Sequence, residues 1–111
     1  YGRVRLFSSV VPQIGVSVTS AYSASKAGLL RLTKTVAIEN ATYGITINTV
    51  NLGYFDICMI KDVPTELLNK IINSIPMEKL GDPINILKTV EYLIATDYIT
   101  GSQINLNGGI Y

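Results

Sequence analysis

Apolar and polar positions along the chain change their period several times, and each change marks an element. Residues 4–7 form a short β-type run that ends on Ser8-Ser9. Residues 10–18 carry Pro12, Gly15 and polar breaks, which predicts a loop. Thr19 or Ser20 can cap a helix predicted over 21–42. Leu29, Leu30, Leu32, Val36, Ala37 and Ile38 cover more than one face of it, so burial on more than one side is expected. Gly44 stands where a left-handed C-terminal cap is expected. Residues 45–50 are rich in β-branched side chains and predict a strand. Residues 51–61 are irregular. Leu67, Leu68, Ile71, Ile72 and Ile75 have helical spacing over 64–75, and Pro76 ends that run. Asp82-Pro83 is a start signal, a cap and then Pro at the first helical position, for a third helix over 84–95. A last strand is predicted over 103–106, closed by Asn107-Gly108-Gly109.

Strand, helix, strand in succession is a βαβ unit, whose strands run parallel through a right-handed crossover. The expected fold class is therefore α/β, with three strands and three helices in one domain or a piece of one. No internal repeat, low-complexity tract or linker interrupts it.

Composition narrows the chemistry. Hydrophobic residues make up 48% of the 111 residues and charged residues 15%, so some apolar surface is expected to face something besides water. The net charge is +1 without a basic cluster, which argues against a nucleic-acid partner. No apolar run approaches the roughly 18 residues of a membrane span. No signal peptide is visible, and a cytoplasmic protein is expected. The single cysteine, Cys58, excludes an intramolecular disulfide and leaves no Cys-based metal site. There is no histidine, so proton transfer falls to Tyr, Lys, Asp, Glu or Ser. The chain opens on Tyr1 rather than Met and enters a strand almost at once, which predicts that an N-terminal part is absent, proteolytic maturation being the alternative.

Tyr22 and Lys26 stand four residues apart in the long helix, so they share one face. A free phenol ionises near pH ~10. A neighbouring ammonium favours the phenolate and lowers that value, giving a proton donor that works without histidine. Small residues surround the pair, Ala21, Ser23, Ala24, Ser25, Ala27 and Gly28, and leave room for a ligand. The spacing alone also suits a surface helix pair. Ser9, at a strand end thirteen residues before Tyr22, strengthens the chemical reading. Open parallel sheets place their sites at strand carboxyl ends, and a hydroxyl there can steady a carbonyl oxygen. A turn or capping role is the alternative for Ser8-Ser9.

The run from Gly2-Arg3-Val4 to Ser8-Ser9-Val10-Val11, followed by Ala21-Tyr22-Ser23-Ala24-Ser25-Lys26-Ala27-Gly28, resembles the short-chain dehydrogenase/reductase family. So do Gly44-Ile45-Thr46-Ile47-Asn48, Leu80-Gly81-Asp82-Pro83, Ile99-Thr100-Gly101 and Asn107-Gly108-Gly109, in family order across essentially the whole chain. Within the family the chain is most similar to 3-oxoacyl-carrier-protein and acetoacetyl-CoA reductases. The resemblance implies the C-terminal half of a Rossmann-like doubly wound parallel sheet, residues 1–111 being the catalytic and substrate half. It implies hydride transfer between NADP or NAD and a 3-oxoacyl thioester. Tyr22 would give the proton, Lys26 would lower its pKa and bind the nicotinamide ribose, and Ser9 would orient the carbonyl. The backbone at Gly53, Tyr54 and Phe55 would meet the nicotinamide. The helix over 64–75 would cover the substrate or serve only as a core helix. Helices 21–42 and 84–95 would pair subunits into a dimer or tetramer. No metal is implied.

The sequence departs from the family pattern in four places. No Gly-rich strand-to-helix turn for a pyrophosphate is present, and the family's catalytic asparagine belongs to the same absent half. Leu52-Gly53 stands for Pro-Gly, and Ile57 for a threonine that contacts cofactor. Arg5 and Leu6 occupy positions usually apolar and Asn, and a charge inside a doubly covered strand is costly unless paired. The connection from Ala95 to Tyr98 is shorter than usual. Two other readings remain: a truncated, non-catalytic member acting through self-association, and a reductase of another small carbonyl or alcohol. NAD and NADP are not distinguished by these residues.

Overall fold

The computed structural model describes residues 2–9, 19–57 and 62–110. In chain order these form β1 (Gly2–Ser9), α1 (Thr19–Asn40), a short 3₁₀ turn (Ala41–Tyr43), β2 (Ile45–Leu52), α2 (Thr65–Ser74), α3 (Ile84–Ala95) and β3 (Gln103–Leu106). The strands make one parallel sheet in the order β1-β2-β3. This is the expected α/β class, part of a Rossmann-like sheet. The loop expected over 10–18 and the segment 58–61, which includes Cys58, lie outside the described residues.

The central strand explains the layering. β2 is buried from Thr46 to Asn51, because it is paired on both edges and covered on both faces. Its odd-numbered face meets α1, where Thr33 and Thr49 hydroxyls lie 2.7 Å apart in full burial. Thr33 already donates its single hydroxyl proton to the Leu29 carbonyl at 2.8 Å, so Thr49 donates to Thr33. The opposite face is covered from the α3 side: the Arg3 Nε on β1 donates to the Ile94 carbonyl of α3. Leu93 of α3 and Ile75 beyond α2 are each 1% exposed and anchor this layer.

Four polar residues are buried in β2; Asn48, Thr49 and Asn51 hold neighbouring chain in place, whereas Thr46 Oγ1 has no hydrogen-bond partner among the described residues. Asn48 uses both ends of its amide, Nδ2 donating to the Ile99 carbonyl and Oδ1 accepting from Ser102 N–H. Thr100 Oγ1 accepts from Ile47 N–H at 3.1 Å, and Gly101 N–H donates to the Ile47 carbonyl at 2.7 Å. The turn leading into β3 is thereby pinned, with Gly101 at φ 71°, a left-handed conformation that favours glycine.

Several boundaries shift from those read in the sequence. β1 runs from Gly2 to Ser9 rather than over 4–7, because ladder pairing with β2 continues through every residue. α1 begins at Thr19, so Thr19 and Ser20 are inside the helix rather than capping it, and it ends at Asn40. Asn40 Nδ2 turns back to the Val36 carbonyl, the chain tightens into the 3₁₀ turn, and Gly44 closes it at φ 70°. The C-terminal cap is therefore where it was expected. α2 and α3 each begin after a proline, Pro64 and Pro83, that occupies the cap position. Asp82 stands one residue further out, and its Oδ1 accepts from Ile84 N–H at 2.9 Å.

The expected burial of α1 on several sides is not found within this chain: Leu32 is 54% exposed and Ile38 78%. One helix lying over β2 buries one stripe, that of Thr33 and Ala37, and leaves the other apolar residues outside. Ile84, Leu87 and Ile94 of α3 are exposed in the same way.

Candidate active site

All three strands end at one edge of the sheet, and the residues singled out in the sequence lie along it. Ser9 is the last residue of β1 and is in register with Leu52, the last of β2. Gly53 follows directly and donates its N–H to the Leu106 carbonyl, the last residue of β3, at 2.9 Å. The three carboxyl ends are thus level.

The height of Tyr22 and Lys26 follows from how α1 runs. Thr33 meets Thr49, while Ala37 lies beside Gly101, whose N–H is bonded to Ile47. Moving forward along α1 therefore means moving backward along β2. Helices rise ~1.5 Å per residue and strands ~3.3 Å. Lys26, seven residues before Thr33, is about 10 Å nearer the carboxyl edge, which is three strand residues, the level of Leu52 and Ser9. Tyr22 lies one further turn beyond, past the level of the strand ends. The backbone so brings Ser9, Tyr22, Lys26 and Gly53 to one end of one βαβ unit. Lys26 is half-buried. The side chains of Ser9, Tyr22 and Arg5 lie outside the described residues.

The segment after β2 is held by backbone bonds. Gly81 N–H donates to the Tyr54 carbonyl at 2.9 Å, and Asp56 N–H to the Gly81 carbonyl at 2.8 Å, which makes a parallel bridge between Phe55 and Gly81. Phe55 is buried with its ring against Gly81, where an added Cβ would lie 2.7 Å from ring atoms. Gly53 is buried too, and an added Cβ there would lie 2.7 Å from Asn107 Cα. That neighbour is backbone and cannot swing aside. Gly53→Ala is expected to lower stability by about 1–3 kcal/mol, seen as an earlier thermal transition; an unchanged transition would contradict this packing.

A cleft of about 440 Å³ opens at this edge, lined by Tyr54, Phe55, Leu80, Gly81, Leu106 and Gly108, with Lys79, Asp82 and Asn85 also on its wall. Its volume suits a small ligand or the end of a larger one. Its walls combine apolar side chains with the polar Lys79, Asp82 and Asn85. The residues missed in the sequence are those brought in from β3 and from the segment before α3. Gly81 and Asn107-Gly108 belong to blocks that carry the family resemblance and were not singled out as site residues. The departures also find places. Leu52 is half-buried in register with Leu106, and Ile57 is 47% exposed just beyond the bridge.

Beyond the site, Ile71 of α2 and Ile75 are buried, and Met77 N–H bonds the Gly108 carbonyl at 3.1 Å, tying the end of α2 to the end of β3. Among the described residues no group of acidic, Cys or His side chains could hold a metal ion, and no helix is long and apolar enough to cross a membrane.

Comparison with known proteins decides the family. A family model described as enoyl-(acyl carrier protein) reductase matches residues 1–111. The chain belongs to the short-chain dehydrogenase/reductase family. It is 43% identical to an acetoacetyl-CoA reductase of Rhizobium meliloti, over 100% of this chain and 47% of that protein. It is 39% identical to a (3R)-3-hydroxyacyl-CoA dehydrogenase of Canis lupus familiaris, over 99% of this chain and 43% of that protein. It is 37% identical to the 3-oxoacyl-[acyl-carrier-protein] reductase FabG of Vibrio cholerae, over 99% of this chain and 46% of that protein. The chain spans less than half the length of these curated relatives. Oxidoreductase membership, and likeness to 3-oxoacyl and acetoacetyl-CoA reductases within this short-chain dehydrogenase/reductase family, agree with the expectation from the motifs.

Proposed function

We propose that this chain is the proton-transfer and substrate half of an NAD(P)-dependent reductase of 3-oxoacyl thioesters. The observation that carries the reading is the convergence of Ser9, Tyr22, Lys26 and the Gly53–Phe55 segment on the carboxyl edge of one βαβ unit. The substrate class is supported by the names of the relatives, which act on acetoacetyl-CoA, 3-hydroxyacyl-CoA or 3-oxoacyl-carrier-protein.

In this reading Ser9 donates a hydrogen bond to the substrate carbonyl oxygen and Tyr22 gives that oxygen a proton. The Lys26 ammonium favours the phenolate that remains and binds ribose hydroxyls. Gly53, Tyr54 and Phe55 place their backbone against the nicotinamide. The cofactor, when bound, supplies the hydride. Its pyrophosphate end needs a Gly-rich strand-to-helix turn that these 111 residues do not contain, so it would be held by a part outside them. That part would pair with β1, a sheet edge among the described residues, where Val4 is 42% and Phe7 50% exposed. Helix α2 would cover the substrate, and the exposed apolar residues of α1 and α3 would pair subunits.

The test is oxidation of NADPH or NADH by the full-length polypeptide with acetoacetyl-CoA. Turnover that depends on both supports the reading. Turnover with a sugar or simple ketone but no thioester would favour a reductase of another small carbonyl.

A further inference from the structure

Of the four register pairs between β2 and β3, Val50–Ile104 and Leu52–Leu106 are apolar, and Thr49–Gln103 and Asn51–Asn105 are polar. Asn51 is in register with Asn105, and its Nδ2 donates to Asn105 Oδ1 at 2.8 Å. Gln103 Nε2 points to the same oxygen at 3.4 Å. Asn51 is 2% exposed, on the sheet face that α1 covers.

A buried amide is costly to desolvate, and an apolar pair would join the strands as well. What an amide pair adds is direction. Apolar contact tolerates sliding, whereas a hydrogen bond fixes distance and angle. The position matters because β3 bears on the candidate site directly. The Asn107 backbone, two residues after Asn105, lies against Gly53, two residues after Asn51. Leu106 accepts the Gly53 N–H between them. A shift of β3 relative to β2 would therefore move the Gly53–Phe55 backbone.

We infer that Asn51 and Asn105 form a positioning pair that fixes the Gly53–Phe55 segment for the nicotinamide end of the cofactor. The inference rests on the function proposed above. Neither side chain touches the cofactor; both act through β3 and Gly53.

The test uses the full-length polypeptide and compares Asn105→Val with Asn105→Asp. Asn105 is on the exposed side of β3, and valine is a good strand residue, so both variants are expected to fold. Valine removes the acceptor. Aspartate keeps an oxygen for Asn51 Nδ2. The readouts are NADPH affinity by fluorescence titration and the split of KM for cofactor against kcat. The expected result is about tenfold weaker binding and a higher cofactor KM for Asn105→Val, with kcat at saturating cofactor little changed. Asn105→Asp stays close to wild type. Wild-type affinity in Asn105→Val, or equal weakening in both variants, would overturn the positioning role alone. A full-length wild-type protein that binds no dinucleotide would overturn the proposed function, and this role with it.

Discussion

Tyr22→Phe in the full-length polypeptide is expected to lower kcat for 3-oxoacyl thioester reduction by roughly 10²–10⁴-fold, the usual contribution of a positioned general acid. Cofactor affinity should change little. The substitution removes one oxygen and its proton and keeps the ring. Tyr22 stands in the first turns of α1, one turn beyond Lys26 and above the ends of β1 and β2. These 111 residues contain no histidine. Water can still protonate the alkoxide slowly, so a residual rate should persist. Single-turnover kinetics with saturating cofactor would measure the effect on chemistry alone. Activity close to wild type would remove Tyr22 from the proposed role.

The second large effect concerns the 111-residue polypeptide by itself. It is expected to bind NADPH far more weakly than the full-length protein and to self-associate. Two observations motivate this. The chain has no Gly-rich turn for a pyrophosphate, and it spans less than half the length of its curated relatives. Among the described residues β1 is also a sheet edge, with Val4 and Phe7 exposed, while Leu32, Ile38, Leu87 and Ile94 add apolar surface on the helices. A long apolar edge strand invites pairing with another chain. Light scattering and cofactor titration of the isolated polypeptide check both parts. A sharp monomer peak with a cooperative thermal transition would count against the association. NADPH binding as tight as that of the full-length protein would show that the cofactor needs no further segment.

Much of the fold was readable because the signals were local. Gly44 ends the α1 region where its left-handed conformation was expected, and the β-branched run from Ile45 predicted the central strand. Lys26 and Ser9 reach the same level because a βαβ unit leaves little choice: the helix must start where the first strand ends. The end of β2 was less readable. The β-branched run ends at Val50 and residues 51–61 read as irregular, so the strand was expected to stop there. It continues to Leu52 because the Asn51 amide finds Asn105, 54 residues away, and ladder pairing satisfies the backbone. No local pattern announces such a pair. What covers Leu32 and Ile38, both exposed in this chain, was not readable for a related reason. Periodicity shows that a helix face is apolar and does not show whether its cover comes from the same chain.

The most direct measurement of the central claim is isotope transfer. NADPH carrying deuterium at its transferable position is supplied to the full-length polypeptide with acetoacetyl-CoA, and the product is analysed by mass spectrometry. The account predicts one deuterium on the former carbonyl carbon of the 3-hydroxyacyl thioester, formed one for one with oxidised cofactor. Cofactor bound without transfer of the label to any 3-oxoacyl thioester would contradict it.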